Sequence, residues 1–127
     1  MASSRITPFP LYGWVPFRGS LYQITRGEVF RGDRLYNLGR YVGERYDERV
    51  LVNHWELLEN MEEMASYRIG DHTRHAALGT VVVRKRCWRF SEGRIIYHIS
   101  TSTGPAARER CWQEQLSACA HARDPLH

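Results

Sequence analysis

The stretch from Thr80 to Ser100 constrains the fold more than any other part of the sequence. Thr80–Phe90 is rich in β-branched residues, Arg94–Ser100 reads RIIYHIS, and the turn residues Ser91-Glu92-Gly93 lie between them. Two such segments joined by a short glycine-containing turn predict an antiparallel β-hairpin. A hairpin of this length must bury one of its faces, so the rest of the chain is interpreted around a sheet.

Other segments complete an α+β pattern around this hairpin. Strands are predicted at Ser20–Thr25, Leu35–Val42 and Val50–His54, and helices at Glu56–Tyr67 and from Gly104 to about Ala120. Apolar residues at helical spacing indicate the first helix, and a proline at the first helical position indicates the second. The order predicts an α+β fold in which an antiparallel β-sheet packs against two to three helices.

The length of 127 residues fits one core. We predict an extended leader rich in proline and aromatic residues at 1–18, a single α+β domain at 19–120 and a flexible tail at 121–127. No apolar run is long enough to span a bilayer, so no transmembrane segment is expected. Three unevenly spaced cysteines favour a reducing compartment, and no metal site or cofactor is predicted.

The net charge of +4 is carried by arginine, and the densest basic group lies on the long strand of the hairpin. Arg84, Lys85, Arg86 and Arg89 are interleaved there with Trp88. Strict alternation predicts Arg84, Arg86 and Trp88 on one face, with Lys85 and Arg89 on the other. Basic residues with aromatic neighbours can bind RNA through phosphate contacts and base stacking. An exposed edge strand guarded by charge is the alternative interpretation.

Four segments carry a family resemblance. They are Pro16-Phe17-Arg18-Gly19-Ser20-Leu21, Asn37-Leu38-Gly39-Arg40-Tyr41-Val42-Gly43, Val50-Leu51-Val52-Asn53-His54, and the strand that ends at Thr101 and is followed by Ser102-Thr103-Gly104. In this order they resemble the P-x-x-G-D-L, H-W-x-x-Y-V-G, V-I-H and N-C motifs of H-box/NC proteins. That family includes lecithin:retinol acyltransferase-like enzymes and several picornavirus 2A proteins. The arginine-rich composition resembles the kobuvirus-like and salivirus-like members.

The resemblance implies a permuted papain-like fold in which a histidine on the sheet activates a cysteine at a helix N-terminus. Asn37 stands at the histidine position and Gly104 at the cysteine position, so both reactive groups are replaced. The resemblance therefore implies a pseudoenzyme, a viral non-structural 2A-like protein that acts in RNA genome replication. It would bind host or viral proteins of the replication complex, or RNA, in the host cytoplasm or at replication membranes.

A rebuilt active site is the alternative. His54, followed by Trp55, could supply a base, and Cys111 a nucleophile, which would give an active thiol acyltransferase or phospholipase. Cys111 also lies at helical spacing from Ala107 and near Leu116, a pattern that favours a core thiol. The catalytic and structural interpretations of both residues stay open at this stage.

Overall fold

A computed structural model of the protein describes residues 7–101 and 109–119. These residues contain nine β-strands, all paired antiparallel, and one α-helix. The strands are β1 (Trp14–Phe17), β2 (Ser20–Phe30), β3 (Asp33–Val42), β4 (Arg45–Asn53), β5 (His72–His75), β6 (Gly79–Arg89), β7 (Arg94–Thr101), β8 (Glu109–Trp112) and β9 (Leu116–Ala118). The helix α1 is His54–Met64. The predicted α+β class holds in this broad form, with more sheet and fewer helices than expected.

The chain forms two compact units. The first comprises the described residues up to Met64 together with Phe90–Gly93. Its strands follow one another in the order β1-β2-β3-β4, and α1 packs against β1. Burial of apolar side chains from both layers, such as Leu38 and Leu57, supplies the driving force for this core.

The helix α1 begins where a side chain can cap it. Asn53 Oδ1 accepts a hydrogen bond from the Trp55 N–H at 2.7 Å, which satisfies one backbone donor of the first turn. Leu57 and Met61 follow four residues apart, and both are buried. The helix therefore starts two residues before the predicted Glu56 and presents one apolar stripe to its sheet.

The second unit comprises Ala65–Arg89 and the described residues from Arg94 onward. Its sheet has the strand order β8-β7-β6-β5-β9. The predicted hairpin is its centre, with β6 and β7 paired from Val81 opposite Thr101 to Arg89 opposite Arg94. One face of this sheet carries a core that includes the fully buried Tyr97.

The predicted second helix is wrong for the described residues 109–118. This segment forms β8, a single 3-10 turn at Gln113–Gln115, and β9. Cys111 lies opposite Tyr97, and Leu116 opposite His75, so sheet pairing places both apolar residues in the core. Local helix propensity is weak, and these tertiary contacts override it.

None of the helices among the described residues could cross a membrane, since α1 has only 11 residues and is rich in acidic side chains.

Candidate nucleic-acid interface

The basic strand β6 contains a β-bulge at Arg84. Val83 lies opposite Ile99, but the next pair is Lys85 opposite His98, so Arg84 is an extra residue without a partner position. A one-residue insertion reverses the faces on which all later side chains lie. The bulge therefore lets Val83 and Arg86 share the core face, which strict alternation forbids.

The bulge also places the side chains of Arg84 and Arg86 on opposite faces of the sheet. Arg84 Nε donates a hydrogen bond to Ser100 Oγ at 2.7 Å. Ser100 follows Ile99, a core residue, and therefore lies on the opposite side of the sheet. Arg84 thus lies on the side of Lys85 and Arg89, and the predicted common face for Arg84 and Arg86 is wrong.

Arg86 and Trp88 lie on the core side. Arg86 Nη1 donates to the Tyr67 carbonyl oxygen at 2.6 Å, and Trp88 packs against the core cluster that contains Tyr97. These two side chains are engaged inside the second unit, whereas Lys85 and Arg89 are exposed.

The side of this sheet that faces away from the core is rich in cations. Lys85, His98 and Arg110 form a row across β6, β7 and β8, because His98 lies opposite both of the others. Alternation assigns the remaining members to the same side. Val82, Ile96 and Ser100 lie on this side too and are buried. We define the basic face as its charged and aromatic members, Arg74, Arg84, Lys85, Arg89, Arg94, His98, Arg110 and Trp112.

An arginine–tryptophan stack lies at one end of the basic face. The guanidinium carbon of Arg94 is 3.6 Å from the centroid of the Trp112 ring, a cation–π contact. Arg94 Nη1 also lies 3.2 Å from a Glu114 carboxylate oxygen. The stack offers a planar group of the kind on which nucleic-acid bases pack.

The charge of the basic face is largely uncompensated. Within residues 7–101 and 109–119, Lys85, Arg89 and Arg110 have no carboxylate within ion-pair distance. Lys85 and Arg89 are four residues apart along β6, or about 13 Å, and the row of Cys87, Ile96 and Trp112 between them carries no cation. Cations that share one side of a sheet create a positive potential that attracts a polyanion.

Comparisons provide no precedent. Protein-family models, curated proteins and solved structures all failed to match this chain.

Sequence reasoning missed Arg94, Arg110 and Trp112. The assignment of residues 104–120 to a helix removed Arg110 and Trp112 from any strand, so their position beside His98 could not be predicted. The available signal was the alternation of Glu109-Arg110-Cys111-Trp112, in which Cys111 is buried and its neighbours are not. Four residues are too few for periodicity to distinguish strand from helix.

His54, the candidate base, lies in an aromatic cluster of the first unit. It is 4% exposed, its ring stacks on Phe9 at 4.1 Å between centroids, and its Nδ1 is 2.8 Å from Tyr36 Oη. Tyr36 Oη accepts the Phe9 N–H at 3.0 Å, and it can donate its own proton to a neutral imidazole. Burial first, and then the charge of Arg34, lower the pKa of His54.

Cys111, the candidate nucleophile, lies in the core of the second unit. It is 4% exposed and pairs with Tyr97 on β7. Burial raises the pKa of the Cys111 thiol. A thiol in this environment stays protonated near neutral pH, and the protonated form is a poor nucleophile.

Asn37, which the resemblance described above aligns with the histidine of H-box/NC proteins, supports the backbone. Its Oδ1 accepts the Leu51 N–H at 3.1 Å, and its carbonyl oxygen accepts the Thr25 hydroxyl at 3.2 Å. The pairing of β3 with β4 shifts register between Tyr36 and Leu38, so Asn37 fills an irregularity in the ladder. Gly104, which the same resemblance aligns with the cysteine, lies outside the described residues.

Proposed function

We propose that this protein binds single-stranded RNA through the basic face of its second unit, without hydrolase chemistry. The observation that carries the proposal is the row of Lys85, His98 and Arg110 across three adjacent strands. This row places the charges of Lys85 and Arg110, which come from distant parts of the sequence, on either side of His98. An isolated charged edge strand would not do so.

The geometry suits a flexible single strand. Phosphates can contact Lys85, Arg110 and Arg84 along the face, and an unstacked base can pack on the Arg94–Trp112 stack. A duplex presents no free base faces to such a stack. Charge contacts supply most of the affinity in this arrangement, and stacking adds to it.

This proposal agrees with the binding role implied by the resemblance to picornavirus 2A proteins. We further propose that the protein is a viral 2A-like protein of the H-box/NC type, related to kobuvirus and salivirus proteins, and that it acts in genome replication. Host or viral proteins of the replication complex would be its further partners, in the host cytoplasm or at replication membranes. Asn37 supports a pseudoenzyme, because its side chain cannot accept a proton near neutral pH and is bonded to Leu51.

The environments of His54 and Cys111 disfavour the acyltransferase alternative. A general base needs an accessible nitrogen, whereas the Nδ1 of His54 is bonded to Tyr36 in a buried cluster. A thiolate nucleophile needs a lowered pKa, whereas burial raises that of Cys111.

The test is RNA binding by matched charge variants. Fluorescence anisotropy with a labelled single strand of about ten nucleotides measures affinity at several salt concentrations. Lys85→Gln/Arg110→Gln is expected to weaken binding and to reduce the log–log salt slope by about 1.4, or about 0.7 per lost phosphate contact. Arg45→Gln/Arg68→Gln removes the same charge from exposed positions outside the basic face. Equal losses in the two variants would show that net charge, and not this face, binds RNA.

A further inference from the structure

A separate pocket lies on the first unit, between the leader and β2–β3. Its volume is about 390 Å³, and Phe9, Leu11 and Ile24 form part of its apolar wall. Arg26 and Arg34 also line it. An apolar wall with a few convergent polar groups is the usual composition of a small-molecule site.

A missing side chain contributes to this space. Gly27 lies opposite Tyr36 in the β2–β3 ladder, and both line the pocket. A Cβ atom at Gly27 would lie 3.5 Å from the Tyr36 ring, an ordinary van der Waals distance. The backbone and its neighbours therefore tolerate a side chain at position 27, and a large one would project into the pocket.

The pocket carries an uncompensated positive charge. Arg34 is half-buried, and within the described residues its side chain has no hydrogen bond or ion pair. Burial is the larger cause of the lowered pKa of His54, and the positive charge of Arg34 is the second cause. Arg26 lies at the same pocket and pairs with Glu28 at 3.4 Å in an exposed ion pair, which solvent weakens.

We propose that this pocket binds a small organic oxyanion, a carboxylate or phosphate ester attached to an apolar group. The Arg34 guanidinium would contact the oxyanion through its planar fork of donors, with Arg26 at the rim, and the apolar wall would cover the body of the ligand. Both chemistries fit, because carboxylate and phosphate each accept two parallel hydrogen bonds from arginine. The proposal is independent of RNA binding, which is assigned to the second unit.

Titration with phenyl phosphate and with benzoate tests this site and distinguishes the two oxyanions. Isothermal calorimetry and amide chemical shifts measure the binding of each compound. Saturable binding of at least one compound is expected, with shifts centred on Gly27 and Arg34. Arg34→Gln should weaken it about tenfold or more, because a charged hydrogen-bond donor is lost. Gly27→Leu should block the pocket while keeping every charge, and Arg45→Gln should leave binding unchanged.

Inorganic phosphate carries the oxyanion without the apolar group, and benzyl alcohol carries the apolar group without the oxyanion. Both should bind more weakly than phenyl phosphate. The proposal is overturned if neither aromatic oxyanion saturates, if Gly27→Leu binds as well as the parent, or if Arg45→Gln loses as much affinity as Arg34→Gln. Dispersed amide spectra of each variant would show that the loss is local and not caused by unfolding.

Discussion

The side chain of Asn37 supports the backbone of β4. Its Oδ1 bonds to the backbone of Leu51, a residue with φ of 56° in the left-handed region. A non-glycine residue in this conformation is strained, so the chain needs a fixed partner there. Asn37 supplies one, and the position therefore constrains the shape of β4.

Loss of this hydrogen bond should lower stability by a modest amount. Asn37→Ala is expected to reduce the free energy of unfolding by about 1 kcal/mol, because the Leu51 N–H loses its protein acceptor. Asn37→Asp keeps an oxygen at the same place and should retain most of that stability. Urea unfolding measures both, and an alanine variant as stable as the parent would contradict the structural role.

The thiols should differ in reactivity according to their burial. Cys111 is buried and its pKa is raised, whereas Cys87 is only half-buried. At pH 7 iodoacetamide should therefore modify Cys87 well before Cys111, as mass spectrometry of the folded protein can measure. Rapid modification of Cys111 in the folded protein would instead restore the enzymatic alternative.

His54 should make stability depend on pH. Its folded pKa lies below the ordinary value of about 6.5, because burial and Arg34 disfavour its charged form. As pH falls below about 6.5 the unfolded chain takes up a proton that folded His54 does not, so the free energy of unfolding decreases. The loss continues until the pH reaches the lowered folded pKa. Above about 6.5 the imidazole is neutral in both states and makes no contribution.

Chemical unfolding at several pH values between about 7.5 and 5 measures this dependence. His54→Gln removes the titrating group, so its stability should decrease less across the same interval. An identical pH profile in the variant and the parent would assign the effect to other groups.

At the scale of elements, the bulge in β6 decides which side chains lie on the basic face. Deletion of Arg84 leaves the pairs Val83–Ile99, Lys85–His98 and Arg86–Tyr97 in one regular ladder. The variant should therefore fold, with a loss of about 1 kcal/mol for the Ser100 hydrogen bond. Deletion of Cys87 would also remove the irregularity, because Arg84 would move opposite His98 and Lys85 would replace Arg86 opposite Tyr97.

Circular dichroism and amide spectra compare the two deletions. Both variants should remain folded, and the variant without Arg84 should bind RNA more weakly because it lacks one cation. Equal disruption by both deletions would mean that the bulge is not a simple one-residue insertion.

The elements that sequence predicted well are those with long, consistent patterns. The hairpin of β6 and β7 has many β-branched residues and a glycine turn, and α1 has apolar residues at helical spacing. Residues 109–118 have neither, and only their partners on β7 and β5 make them strands. The bulge at Arg84 likewise leaves no mark in composition, because it follows from the register between two strands.

The candidate interface was predictable only in part for the same reason. Lys85 and Arg89 were placed correctly on one face by alternation, as they follow the bulge together. Arg110 joins them only through the pairing of β8 with β7, a contact between residues that the sequence had assigned to different kinds of element. Local sequence patterns cannot predict long-range strand pairing of this kind.

At the scale of the whole molecule, the proposed phosphate contacts of the basic face should make RNA binding strongly dependent on salt. Each neutralised phosphate releases a counterion, so the logarithm of the affinity should fall linearly with the logarithm of salt concentration. Anisotropy in about 50 to 200 mM salt measures the slope for a single strand and for a duplex of the same length. A duplex bound as tightly as the single strand would contradict the stacking part of the proposal.

Phe90–Gly93 connect β6 to β7 but belong to a different compact unit from those two strands, and this limits how the gene could recombine. These four residues belong to the first unit, where the Phe90 carbonyl accepts the Trp14 N–H at 2.8 Å, yet β6 and β7 on either side belong to the second. A fragment that ends at Met64 lacks that acceptor, and one that begins at Ala65 carries it without its donor. No single cut of the gene yields either unit intact, so exchange by recombination would have to transfer the two together.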